Sequence, residues 1–366
     1  MKTTIYIGHH KVGSTALQQF LSRNLAPLVR AGTLYPFVEM DGAAHAMATL
    51  AKGKRPPPQT VNVVEPHSAL AYKMMAEAAG RPVPPQFRNL CHSSQMFHAV
   101  AGQVRLLRPE GLVLCSEAFS NFGAVQPALI DRLAAPFAED DLTVYAALRR
   151  PDQYLVSWHG QRIKVGEKTG PLSQDWAGYL DTIHFNYHLA LEAWIDRLPG
   201  ARMVIRDYAR IMEAGGSIQD FAAHGGVHIP DGLDTAIQAN PSLPHAVVEL
   251  ARRGSHALSP KDGHAFREFL KRLPGKVDLP ANREVEMLGQ PARDALHDAF
   301  REIDGWLGEV TGGGTGFFAD LDAMRTLAPM PERDANHAAL DALTPELLEP
   351  LAPPLRDMVD RLRREI

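Results

Sequence analysis

The sequence predicts an α/β fold whose mainly parallel sheet is covered on both faces by helices. Two observations predict it. Short apolar runs of strand length recur at 3–7, 111–116, 142–148 and 201–205. Stretches with helical spacing of apolar residues lie between them, and strands that alternate with helices build such a sheet.

Taken in order, Thr3 to Ile7 reads as a buried strand that ends at Gly8. Leu17, Phe20, Leu21, Leu25 and Leu28 then recur near helical spacing, with Gly32 as the stop. The Pro- and Ala-rich stretch from about 40 to 70 gives no clear element. Within it, Lys52 to Pro58 reads as an exposed basic loop, either solvated or part of an acceptor-binding lip. Gly111 to Ser116 is a second strand, followed by a short helix that turns Leu129, Ile130 and Leu133 inward. Leu142 to Leu148 is a third strand, and Pro151 opens the next helix at a position where its missing N–H costs nothing. Leu189, Leu191, Trp194, Ile195 and Leu198 mark a helix stopped by Pro199-Gly200, before a fourth strand at Ala201 to Ile205.

From about residue 230 onward no strand is evident and the chain reads as helical. Thr311 to Gly316 is a glycine-rich break, which sets expected domains of 1–310 and 317–366. Near the end, Leu355, Met358, Val359 and Leu362 form an apolar stripe, to be packed on its own domain or against a second copy.

Hydrophobic residues make up 45% of the 366, enough for a sizeable core. The formal net charge of -4 argues against nucleic acid as the main partner, because phosphate backbones reward positive charge. Cys91 and Cys115 have no zinc or redox spacing, and Cys115 sits in an apolar run as a buried thiol would. No metal-ligand spacing is found among the 16 histidines. The first apolar stretch is too short for a signal peptide, and no run approaches the roughly 18 apolar residues of a membrane span. A cytoplasmic chain without an anchor is therefore expected.

The chemistry is expected in three short motifs. In Gly8-His9-His10-Lys11-Val12-Gly13-Ser14-Thr15, a turn leads from strand to helix. Backbone N–H groups at a helix start bind anions, Gly13 allows the tight turn, Ser14 and Thr15 add hydroxyl donors, and Lys11 adds charge. The plain alternative is a turn capped by Ser14. A Walker A loop would have the lysine after the last glycine; here it comes two residues before Gly13. In Arg149-Arg150-Pro151, two cations stand at a helix start, where the dipole disfavours them unless an anion is bound nearby. In Val113-Leu114-Cys115-Ser116-Glu117, a carboxylate follows a strand end.

Lys11-x-Gly13-Ser14-Thr15 resembles the 5′-phosphosulfate loop of the sulfotransferases that use 3′-phosphoadenosine 5′-phosphosulfate (PAPS), and His10 to Gln18 is similar to the opening of bacterial members. Arg149 and Ser157, eight residues apart, resemble that family's 3′-phosphate motif; Arg150 is off the spacing. The resemblance implies a P-loop NTPase-like α/β fold, to which the absence of evident strands after 230 adds a largely helical C-terminal region. It implies a reaction that moves a sulfuryl group from PAPS to a hydroxyl or amine of a small molecule or carbohydrate, leaving 3′-phosphoadenosine 5′-phosphate (PAP). It implies Lys11, Gly13, Ser14, Thr15, Arg149, Ser157 and Tyr208 as cofactor contacts, with Tyr208 against the adenine. Glu117 matches the position of the family's base, with Lys11 and His10 as further catalytic candidates; His9 and His10 are rival bases, of which only His10 matches the family's histidine before the lysine. Gln161 and Lys164 resemble a Gln-x-x-Lys pattern of bacterial relatives.

The resemblance covers about residues 3 to 225. It departs from the cytosolic members at Ala16, where they carry a tryptophan, and in lacking their C-terminal Arg-Lys-Gly loop. Two rival readings are a nucleoside or small-molecule kinase, which shares the fold but not the Lys-x-Gly order, and an inactive nucleotide- or glycan-binding module.

Overall fold

Five parallel strands form one sheet in the order β2-β3-β1-β4-β5 in the computed structural model, which describes residues 1–52, 60–87, 89–236 and 242–366. They are β1 (Lys2–Tyr6), β2 (Thr33–Leu34), β3 (Gly111–Cys115), β4 (Asp141–Leu148) and β5 (Arg202–Asp207). The register pairs Tyr6 with Cys115 on one side and with Tyr145 on the other, while β4 pairs Leu148 with Asp207. β3 is buried throughout, as are most residues of β1 and β4, so these strands read as apolar runs. The expected strands hold within a residue or two.

The chain divides into two compact units. The first comprises Met1–Arg150, Asn186–Gln238 and Glu309–Gly313. It holds the five-stranded sheet. Its core gathers Tyr6, Val113 and Tyr145 from the strands with Leu17, Phe20 and Leu21 from the first helix, all at most 2% exposed. The single expected helix after Gly8 is two helices, Ser14–Arg23 and Leu25–Arg30. Asn24 separates them because its side chain bonds the Phe20 and Asp234 carbonyls. The stretch that gave no clear element holds helices at Met40–Lys52 and Pro66–Ala79. Lys52 ends the first of these, and the rest of the expected basic loop lies outside the described residues.

The connection leaving β1 runs toward β2, and β5 follows β4 on the other side of the sheet. The carboxyl ends of β1 and β4 therefore flank the point where the strand order reverses. Open α/β sheets take their ligands at such a point.

The second unit comprises Pro151–Phe185, Ala239–Gly308 and Gly314–Ile366. Helices at Pro151–Lys164, Val248–Ala257, Pro260–Lys271, Glu332–Asp341 and Pro353–Glu365 dominate it, with most of Gln290–Val310. The chain after 230 is not free of strands: β6 (Val285–Glu286) and β7 (Met330–Pro331) form a two-residue parallel pair. That pairing is too short to leave a period in the sequence. Leu355, Met358, Val359 and Leu362 are all buried within this chain, at 4% exposure or less. Arg293 bonds Glu286 at 2.8 Å and lies 3.4 Å from Asp152. No helix among the described residues is long and apolar enough to cross a membrane.

Candidate active site

Past its last strand residue, β1 stays beside β4. The Ile7 N–H donates to the Tyr145 carbonyl at 2.8 Å, and the His9 N–H to the Ala147 carbonyl at 2.9 Å. Gly8 must lack a side chain, because a Cβ there would fall 2.6–2.8 Å from the Tyr6 ring. The chain then turns through two left-handed residues, Lys11 (φ 64°) and Gly13 (φ 82°), and the helix starts at Ser14. A Cβ on Gly13 would overlap the Ser217 hydroxyl, which bonds the Val12 carbonyl at 3.1 Å.

Gly13 is the helix N-cap and no side chain caps the helix. The alternative of a turn capped by Ser14 is therefore absent. The Ser14 hydroxyl instead bonds Glu117. An N-terminus without a side-chain cap leaves amide donors for an outside acceptor.

Lys11 is partly buried. Burial lowers the proton affinity of its amine below the usual lysine value, and the nearby Arg149 lowers it further, with Glu117 acting the other way. Two cations held this close are stabilised by a bound anion. Arg149 follows β4 directly, and its carbonyl accepts from the Tyr187 hydroxyl. Its guanidinium carbon lies 5.4 Å from the centroid of the Tyr208 ring. Tyr208 is fixed there by opening the helix after β5, where Asp207 caps the Ala209 N–H at 3.0 Å.

Glu117 opens a single 3-10 turn after β3, capped by the Ser116 hydroxyl. The Gln18 amide donates to its Oε2 at 2.9 Å, and His10 Nδ1 lies 3.8 Å from its Oε1. Burial pushes this carboxyl up. The hydrogen bond and charge of His10, the Glu117 amide and the Ser14 hydroxyl outweigh burial and hold it below the usual carboxylate range. It is a carboxylate at neutral pH, able to accept a proton. His9 is 1% exposed and packs edge-on against Tyr187, a structural position.

Lys11, His10, Glu117, Gly13, Ser14, Thr15, Arg149 and Tyr208 all belong to the first unit, at or near the carboxyl ends of its strands. Ser157 does not: it lies in the middle of the Pro151–Lys164 helix, in the second unit, as do Gln161 and Lys164.

Sequence reasoning missed the far side of Glu117. The Pro66–Ala79 helix packs on the 3-10 turn and brings Glu65 and Tyr72 into the electrostatic range of Glu117. Its Ser68 hydroxyl bonds that of Ser116 at 2.9 Å. Glu65, Ser68 and Tyr72 stand at i, i+3 and i+7, a polar stripe in an Ala-rich segment that could have signalled the helix.

No protein-family model matches the chain. It is 29% identical over 203 residues to a protein of Archaeoglobus fulgidus whose description is only "uncharacterized protein". The match covers 53% of this chain and 54% of that protein, so the chain spans about half the length of the relative.

Proposed function

We propose that the chain is a sulfotransferase with a P-loop-like nucleotide site, which moves a sulfuryl group from PAPS to an acceptor. One observation carries this reading. Lys11 and Arg149 lie within electrostatic range of each other at the carboxyl ends of β1 and β4, beside a helix start without a side-chain cap. The donor set is cationic and hydrogen-bond-donating, and so fits the anionic groups of PAPS, the phosphosulfate at Lys11 and the 3′-phosphate at Arg149.

In this reading Lys11 and the first amides of the Ser14–Arg23 helix hold the 5′-phosphosulfate. They neutralise charge that develops on the leaving phosphate, which is electrostatic stabilisation by preorganised donors. Arg149 clamps the 3′-phosphate, and Tyr208, already under its guanidinium, offers a ring face to the adenine. Ser157 takes its 3′-phosphate role from the sequence motif alone. Glu117 accepts the acceptor's proton as the acceptor atom attacks sulfur, and His10 and Gln18 orient its carboxylate. The Lys11-Val12-Gly13 order favours this over a kinase.

Incubation with labelled PAPS and an acceptor library, read by mass spectrometry, tests the reading. Label on an acceptor supports it. Absence of transfer, with ATP serving as phosphoryl donor instead, would replace it by the kinase.

A further inference from the structure

A chain of buried polar groups ends on Glu117. The Ala118 N–H donates to the Ser116 hydroxyl at 3.1 Å, and the Ser116 and Ser68 hydroxyls lie 2.9 Å apart. Ser68 reaches Gln18 Oε1 at 3.3 Å, and Gln18 Nε2 reaches Glu117 Oε2 at 2.9 Å. Ser116 and Gln18 are fully buried and Ser68 is 2% exposed. All of them belong to the first unit. Ser68 is aimed by its neighbour on the Pro66–Ala79 helix. His67 accepts the Cys115 N–H at 3.0 Å, so residues 67 and 68 grip residues 115 and 116 side by side.

The direction of every bond in the chain follows from its two ends. A backbone N–H only donates and a carboxylate only accepts. Gln18 therefore turns its NH2 to Glu117 and its carbonyl oxygen to Ser68. That oxygen only accepts, so the one hydroxyl proton of Ser68 points at it. The one hydroxyl proton of Ser116 then points at Ser68, and Ser116 receives the Ala118 N–H. Every donor faces Glu117. With the amide turned over, its oxygen would stand 2.9 Å from the Glu117 oxygen, an arrangement that repels unless the carboxyl carries a proton. The chain in this direction favours the charged carboxylate alone.

We propose that Ser68 is a positioning residue for Glu117: by fixing the Gln18 amide it keeps the carboxylate charged and aimed, and so extends the base's working range toward acid. That Glu117 acts as a base rests on the PAPS reading above. Among the described residues, the charged groups in range of Glu117 are His10 and Lys11 on the turn and Glu65 before the Pro66–Ala79 helix. The Tyr6, Tyr35 and Tyr72 phenols and the Cys115 thiol are also in range, and burial holds each above its usual value, so they stay neutral in acid. All these groups are kept in the variants below, so differences between variants report the chain of bonds.

The test uses the full chain with 13C at its glutamate carboxyls, titrated by NMR. The Glu117 signal is the one lost in Glu117→Gln. Gln18→Leu should raise the Glu117 carboxyl pKa by about one pH unit, as for loss of one hydrogen bond to the charged form. Ser68→Ala, which lets the amide turn, should raise it by about half a unit. The double variant should rise no further than Gln18→Leu, because Ser68 acts through Gln18. In transfer from labelled PAPS the acid limb of kcat should move up by the same amounts, so that the loss is largest at low pH and fades as pH rises. A merely structural role for Ser68 would lower stability and leave the Glu117 titration in place. An unmoved titration in Ser68→Ala, or additive shifts in the double variant, would overturn the proposal whatever the transfer assay gives. Shifts as expected, with no transfer from PAPS by the wild type, would instead refute the PAPS reading and leave Ser68 as the residue that sets the Glu117 charge.

Discussion

The Gln18 side-chain amide donates to Glu117 Oε2 at 2.9 Å. Gln18 sits one turn into the helix whose first residue, Ser14, also bonds that carboxylate. The turn before that helix and the candidate base are thus held in one piece of structure, and the base keeps a fixed aim relative to the turn.

Glu117→Gln preserves size and still accepts from Gln18, but takes no proton at neutral pH. A fall in kcat of about 10²–10⁴-fold is expected, with PAP affinity nearly unchanged. His10→Ala removes an orienting group and should cost less. If Glu117→Gln stays active while His10→Ala is dead with normal PAP affinity, the base is on the loop. Steady-state kinetics beside calorimetry decides.

Arg149→Ala should weaken PAP binding by about 2–3 kcal/mol, as expected when one partner of a charged hydrogen-bonded pair is removed. Arg150, 9% exposed, lies off the phosphate spacing, and Arg150→Ala should cost PAP affinity less. Calorimetric titration of both variants checks the order, and the reverse order would reassign the clamp.

His67 makes stability fall in acid. It is fully buried, its Nδ1 accepts the Cys115 N–H at 3.0 Å, and burial lowers its pKa from 6.5 to about 3. Between those values the unfolded chain binds a proton that the folded chain refuses. The stabilisation is therefore complete above pH 6.5 and is lost on acidification toward 3. At pH 5 the loss from this one group is about 2 kcal/mol, at 1.36 kcal/mol per pH unit. Urea unfolding of His67→Gln should show a drop from pH 7 to pH 5 that is smaller than the wild type's by about that amount. Equal drops would mean that His67 is not the group responsible.

Four of the five strands of the sheet were legible because each is an apolar run bounded by glycine, proline or charge; β2, only two residues long, left no such run. The turn after β1 and the place of Arg149 at the end of β4 were legible because they follow directly from those strand ends. The helix at Pro66–Ala79 was not. Its buried residues include Ala69, Ala71, His67 and Ser68, so burial there does not follow hydrophobicity. Glu65 meets Glu117 only through tertiary packing across 52 positions, which no local pattern records. The break at Asn24 escaped for a similar reason, since one of its partners, the Asp234 carbonyl, is 210 residues away. Ser157 shows the converse, a residue placed by sequence spacing whose helix belongs to the other compact unit.

The most direct test of the central claim is the thermal shift of the full chain with PAP and with ATP at equal concentration. In the proposed reading Lys11 holds one phosphate and Arg149 a second, and a ligand carrying both that binds only the folded state raises Tm by mass action. At a hundredfold excess over Kd the expected stabilisation is about 2.7 kcal/mol. A clear rise with PAP and a much smaller one with ATP is the predicted result. Equal rises, or a rise with ATP alone, would contradict it.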